Sequence, residues 1–111
     1  MDSLNFYREA VRKVIHEHIN FAGQNPEFQF ETIFDDAAGR YALMMQGWRG
    51  CKRFHACIIH LDIKDGKIWI EYDGTQYGIA GELLNVGVPK DKIVLAFKSP
   101  ELRKHTEFAV A

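Results

Sequence analysis

The sequence has only two cysteines, Cys51 and Cys57, in 111 residues. Two thiols, not in a CxxC unit, exclude a disulfide framework and a zinc ribbon and read as reduced cysteines in a cytosolic protein. No apolar run approaches the ~20 residues of a membrane helix, and the opening MDSLNFYREA is polar and amphipathic, without a signal-peptide core. The expectation is a cytoplasmic protein with no membrane contact. Charge of one sign is also missing. The net charge is −1, so no global field draws the chain to DNA or anionic lipid. There is no internal repeat, no low-complexity tract, no GxSxG, no P-loop, no GxGxxG and no HExxH.

What is present is a single domain. A chain of this length can bury roughly 65% of its unfolded surface and needs no staple to fold. Hydrophobic residues make up 47% and charged residues 26%, as in ordinary globules. The organising stretch is RFHACIIHLDIKDGKIWIEYDGT, Arg53 to Thr75. Asp65-Gly66 predicts a type I′ turn, which needs φ > 0 at both central positions. Folding about it pairs Ile63 with Ile68, Leu61 with Ile70 and Ile59 with Tyr72, giving a core face that Cys57 continues. The other face carries Ile58, His60, Asp62, Trp69, Glu71 and Asp73, with His60 opposite Glu71 and Asp62 opposite Trp69. A one-residue slip would expose the Ile/Leu row, so the register is well specified.

Before the hairpin, Ser3 to about Phe21 reads as an amphipathic helix. Leu4, Tyr7, Val11, Val14, Ile15, His18 and Ile19 recur at spacings of three and four, with Asp2 or Ser3 as N-cap. Gly23-Gln24-Asn25-Pro26 breaks it. Glu27 to Asp35 alternates, with Phe28, Phe30, Thr32 and Phe34 on one side and Gln29, Glu31 and Asp35 on the other; Ile33 is the exception. Asp36 to Gly39 is a hairpin loop. Arg40 to Trp48 is apolar on both faces, which places it inside the sheet. After the hairpin, Gln76 to Val86 reads as a short helix, in which Gly78 and Gly81 each cost roughly 1 kcal/mol relative to alanine. Ile93 to Phe97 predicts a fifth strand. Ser99-Pro100-Glu101 starts a last helix reaching about His105. The tail Thr106 to Ala111 is apolar enough to dock. The fold class is α+β: an N-terminal helix, a four-stranded antiparallel meander, then a short helix, strand and helix.

No constellation carries chemistry. His16 and His18 are two apart on a helix and diverge. His55 and His60 face opposite sides of a strand. Cys57 falls on the core face, where a thiol is inert packing, and Cys51 is a surface thiol beside Arg49, Lys52 and Arg53. Asp62, Glu71 and Asp73 share the outer hairpin face, as solvated sheet carboxylates do. No catalytic, cofactor or metal residues are assigned. Two surfaces stand out. Ile58, His60, Trp69 and Glu71 resemble a protein-binding patch, an aromatic anchor in a polar rim. Arg49, Lys52 and Arg53, among Trp48, Phe54 and His55, are the candidate nucleic-acid contact. Glu27, Glu31, Asp35 and Asp36 are the acids placed to offset that field.

LNFYREAVRKVI, FDDAAGRYALMMQGWRG and the run from HLDIKDGKIWIEYDGT through PELRKHTEFAVA together resemble the XisI family of cyanobacterial proteins, the fdxN element excision controlling factors. GW, DIKDGKIWI, DGT, GVPK and PELRK occur in that order, and the resemblance covers nearly the whole chain. It implies a non-catalytic accessory role in programmed site-specific DNA excision during heterocyst differentiation. The implied partner is an XisH-like protein, with a site-specific recombinase system indirectly involved. The family offers no catalytic residues to carry over. Two alternatives stand beside that reading. One is a direct DNA-binding accessory factor; the other is an antitoxin-like partner that neutralises a nuclease-like XisH protein. An edge strand leaves homo-oligomer formation open.

Overall fold

The computed structural model describes residues 3–23 and 25–111. The alternative N-cap Asp2, and Gln24 of the helix-breaking segment, lie outside them. The elements are α1 (Ser3–Ala22), β1 (Phe28–Asp35), β2 (Arg40–Arg49), β3 (Lys52–Lys64), β4 (Lys67–Asp73), α2 (Ile79–Asn85), β5 (Ile93–Val94) and α3 (Pro100–Arg103). The α+β class is as expected. One detail is corrected: the sheet is five-stranded, in the order β1-β2-β3-β4-β5, and β5 lies parallel to β4. Parallel neighbours cannot be joined by a tight turn. The segment from Gly74 to Lys92 therefore crosses over the sheet and carries α2 on its way.

The stripe of α1 buries Tyr7, Ala10, Val11, Val14 and Ile15. They meet Tyr41 and Leu43 of β2, Ile59, Leu61 and Ile63 of β3, and Ile68 and Ile70 of β4. Ile79 and Leu83 of α2 join the same core, as do Ile93 and Leu95. Both helices thus lie on one face of the sheet. The β1 alternation appears as read, with its even-numbered side half-buried and Ile33 53% exposed on the other side. As expected, β2 sits between two partners.

The hairpin turn is also as expected, with φ of 55° at Asp65 and 73° at Gly66. Lys64 pairs with Lys67, Ile63 with Ile68, Asp62 with Trp69 and Leu61 with Ile70. Beyond that point the register shifts. Glu71 is an extra residue on β4, so His60 faces Tyr72 rather than Glu71, and Ile59 faces Asp73 rather than Tyr72. A second irregularity leaves Ile58 as the extra residue on β3: Leu43 faces Ile59, and Met44 faces Cys57. Period-two counting fails past a bulge because one residue leaves the ladder. Tyr72 consequently leaves the expected core row and stands 49% exposed. Cys57 falls opposite Met44, on the face away from α1, whereas Ile58 packs against the core.

The bulge at Glu71 turns Asp73 toward the helix side, where it organises the crossover. Its carboxylate accepts from the backbone N–H of Thr75 (2.9 Å) and of Ile79 (2.7 Å) and from the Thr75 hydroxyl (2.5 Å). The Thr75 hydroxyl in turn accepts from Gly78 N–H at 3.1 Å. Gly78 has φ 90° and ψ 129°, so α2 begins at Ile79, three residues later than the apolar pattern suggests. At the far end, Ser99 caps α3 as expected, through Leu102 N–H at 3.3 Å. That helix stops at Arg103, and β5 stops at Val94 because the chain then turns, Lys98 N–H bonding Leu95 C=O at 3.0 Å. The tail docks: Ala109 N–H bonds Ile93 C=O at 2.9 Å, and Phe108 packs on the core.

Removing the Asp73 carboxylate strands two helix-entry N–H groups. Asp73→Ala is expected to lower stability by about 1–2 kcal/mol. Urea unfolding should show a lower midpoint at unchanged slope; an unchanged midpoint would mean that the crossover is held by packing alone.

Candidate functional site

The face of the sheet opposite α1 and α2 is built from rungs that run straight across the strands. One rung is Ile33, Ala42, His60 and Tyr72. The next is Asp35, Arg40, Asp62 and Trp69, an alternation of charge ending in an aromatic ring. Glu31, Met44 and Cys57 form a third. At the β5 edge the C-terminal segment closes over this face, where Val94 beside Trp69 is fully buried; the residues of the three rungs are half-buried or exposed. The histidine of the first rung is held by the second: His60 Nε2 lies 2.9 Å from Asp62 Oδ1. Their pairing along one strand replaces the expected cross-strand pairing with Glu71.

Trp69 is fixed by its own chain. Its indole N–H donates to Lys64 C=O at 3.3 Å, the Lys64 ammonium lies 4.2 Å from the ring centroid, and the Arg103 guanidinium lies 5.7 Å from it. Arg103 is anchored in turn by the carbonyls of Leu95, Ala96, Lys98 and Val110. It ties the C-terminal segment to the sheet, a role that a lone arginine after a capped turn does not announce in sequence. Of the four residues expected to form a binding patch, His60 and Trp69 stand on adjacent rungs and Glu71 sits half-exposed in the bulge. Ile58 is the one turned to the core. Tyr72 and Ile33, passed over in sequence, join the exposed patch; bulge and register, not composition, put them there.

The basic residues cluster at the β2–β3 turn, with Arg49 opposite Lys52 and Trp48 opposite Arg53. Arg53 lies 5.3 Å over the Trp48 ring and also donates to Gln46 Oε1 at 3.4 Å. Arg49 lies 5.8 Å over the Phe28 ring and 3.9 Å from a Glu27 carboxylate oxygen. Of the four acids expected to offset this turn, Glu27 therefore does so. Glu31 instead accepts from the Gln46 amide at 3.0 Å, and Asp35 accepts from Ala38 N–H at 3.0 Å. Asp36 lies at the opposite end of the sheet. The close approach of strands here requires Gly47, since a Cβ there would lie 1.9 Å from Glu27 C=O.

Asp36 anchors a cluster of linked charges. It accepts from the Tyr41 hydroxyl at 2.5 Å and from Arg12, while Arg8 donates to its backbone carbonyl at 3.2 Å. The Tyr41 hydroxyl holds the Asp36 carboxyl below the usual carboxylate range, with Arg12 and Arg8 acting in the same direction. Burial, and then the Asp36 charge, push Tyr41 up to about 12. A carboxylate pinned as anion beside a phenol pinned as neutral donor is a structural clasp between α1 and the β1–β2 turn, with no proton to exchange near neutrality. Burial raises the Cys57 thiol as well, which disfavours the thiolate. Among the described residues no three His, Cys, Asp or Glu side chains gather as a metal site would require.

Residues 1–110 match the family model described as "XisI protein". The chain belongs to the XisI family. The fold agrees. The crystal structure of the fdxN element excision controlling factor XisI from Anabaena variabilis ATCC 29413 is 36% identical, with a TM-score of 0.86 over 99% of this chain and 100% of that one. A second XisI-like protein from the same organism is also 36% identical, with a TM-score of 0.90 over 97% and 99% of the two chains. No curated protein matches the sequence at a significant level. Within the family fold, the open sheet face and the basic turn sit at different places: Trp69 neighbours the β3–β4 turn, whereas Arg49 and Lys52 close the β2–β3 turn at the other end of β3.

The clasp predicts the pH dependence of stability. Asp36 has a depressed folded pKa, so its contribution is present above its unfolded value near 3.9 and is lost as pH falls through the lower folded value. Tyr41 has a raised one, so stability is intact below about 10 and falls as pH rises toward about 12. Asp36→Asn should flatten the acid limb of a urea-midpoint profile, and Tyr41→Phe the alkaline limb. Profiles identical to that of the parent would remove the clasp as their source.

Proposed function

We propose that this chain is a non-catalytic control factor for programmed DNA excision that acts by binding an XisH-like protein through its open sheet face. The observation that carries the reading is the one-sided fold: both core-forming helices pack on one face, and the other presents Ile33 and Tyr72 beside a rung of alternating charge that ends in the half-buried Trp69. Half-exposed aromatics in a polar, charge-patterned surround suit a specific protein contact. Family membership supports the excision role, through the relative that bears that name. The clasp and the buried-leaning thiol use their reactive groups structurally, which supports a role without catalysis. Neutralisation of a nuclease-like partner would use the same contact and differ in its consequence: expression of the partner alone would then be toxic and this chain would relieve it.

Co-purification with the XisH-like protein of the same genome is expected to give a complex that survives nuclease treatment. A folded Trp69→Ala or Tyr72→Arg variant should bind about tenfold or more weakly. Full-strength binding by both variants would remove this face as the contact. Direct DNA binding is supported by one feature, the cluster of Arg49, Lys52 and Arg53 beside the 56% exposed Trp48. It requires affinity that falls with salt at a log–log slope of about −3 for three phosphate contacts. Neutralising all three residues would then abolish the slope.

A further inference from the structure

On the helix side of the molecule, away from the open sheet face, the end of α1 and the β4–α2 loop enclose a cleft of about 450 Å³. Its buried walls include Val14 and Ile79, each 1% exposed. Its rims carry Phe21 and Tyr77, which at 79% and 77% are the most exposed of the large hydrophobic side chains described. Two such rings flanking one cleft form an exposed apolar patch of the kind that marks a contact surface. The two charged side chains lining the cleft, Glu17 and Glu82, are both acidic, and neither forms an ion pair among the described residues. No lysine or arginine lines it among the described residues. An anion is not the fitting occupant, since the nearby N–H groups of Gly78 and Ile79 are already taken by Thr75 and Asp73. His18, also at the wall, stands edge-on to Phe30 at 6.3 Å between centroids.

We propose that this cleft docks a basic, apolar-flanked segment of a partner protein, seating an arginine or lysine near Glu17 and Glu82. The methylene stem of such a side chain packs on Val14 and Ile79 while its charged head meets the carboxylates. The Phe21 and Tyr77 faces add attraction for the cation and cover for the apolar neighbours. A free cationic metabolite would satisfy the carboxylates but leave the two rims uncovered, so the occupant is a peptide segment. The inference rests on the cleft alone and does not depend on the excision role.

The test uses the full chain, isotopically labelled, with a short peptide of alternating leucine and arginine. Its glutamate-for-arginine counterpart and spermidine serve as comparisons. The basic peptide is expected to give saturable shifts at Phe21, Tyr77 and Glu82. Affinity should fall about tenfold in the Glu17→Gln/Glu82→Gln double variant and in Tyr77→Ser, and stay unchanged in Glu107→Gln, which lies elsewhere. Any of four results would overturn the proposal: no saturable shifts at millimolar peptide, shifts mapping elsewhere, equal binding of the acidic peptide, or spermidine binding as tightly as the peptide.

Discussion

The extra residue at Glu71 decides what each face of this molecule does. Ahead of it, β4 alternates as any strand does, sending Ile68 and Ile70 inward and Trp69 outward. Past it the parity is reversed. Tyr72 goes out, and Asp73 goes in to meet the start of α2. Without the reversal, the carboxylate that caps the crossover would point into solvent on the wrong side of the sheet. The helix would then start with unsatisfied N–H groups, and the Tyr72 ring would compete for core volume with α2. A bulge relieves both conflicts at once, at the cost of one unpaired ladder position. Gly74 follows within the same turn, its N–H bonded to Ile58 C=O at 2.8 Å. The irregularities of β3 and β4 are therefore tied together.

Once α2 is held there, the rest of the architecture follows. The crossover returns the chain parallel to β4, β5 adds to that edge, and the tail bonds beyond it. The β4 edge of the meander is thereby closed by the chain itself. The two core-forming helices, α1 and α2, are committed to one side, where the aliphatic core is continuous from α1 through the sheet to α2. On the other side the C-terminal segment covers only the β5 edge, over Val94 and Trp69; the rest, with one rung of alternating charge and the exposed Tyr72 at the β4 end, stays open among the described residues. The same economy applies to the ionisable groups. Asp36, Tyr41, Asp62, Asp73 and Arg103 all have structural partners. What remains for function is surface: an open sheet face, a basic turn and an acid-lined aromatic cleft.

Much of this was legible in the sequence, and the parts that were not have identifiable causes. The α1 stripe, the β1 alternation, the interior place of β2, the Asp-Gly turn and the Ser99 cap follow from local rules and stand in the structure. The register departs from the period-two pattern beyond the Leu61–Ile70 pair because bulges leave no mark in such a pattern: the extra Glu71 on β4 moves Tyr72 and Asp73, and the extra Ile58 on β3 moves Ile58 and Cys57. The membership of β5 in the sheet depends on a crossover that short-range signals do not encode. α2 starts later than the apolar spacing indicates because Gly78 interrupts the helix while that spacing continues. As for function, the family was visible in the ordered motifs. The cleft was not: Phe21 lies in the last turn of α1 and Tyr77 in a loop, and only the fold brings them together.

The central claim is that the open sheet face is the contact surface for a protein partner. It is tested most directly by site-specific photo-crosslinking within a complex isolated with the XisH-like protein. A benzophenone side chain placed at Ile33, at Tyr72, and on the far side of α1 at Lys13 would report which face lies against the partner. Cross-links to the partner from Ile33 and Tyr72, and none from Lys13, are the result this account predicts. Cross-links from Lys13 with none from either sheet position would contradict it.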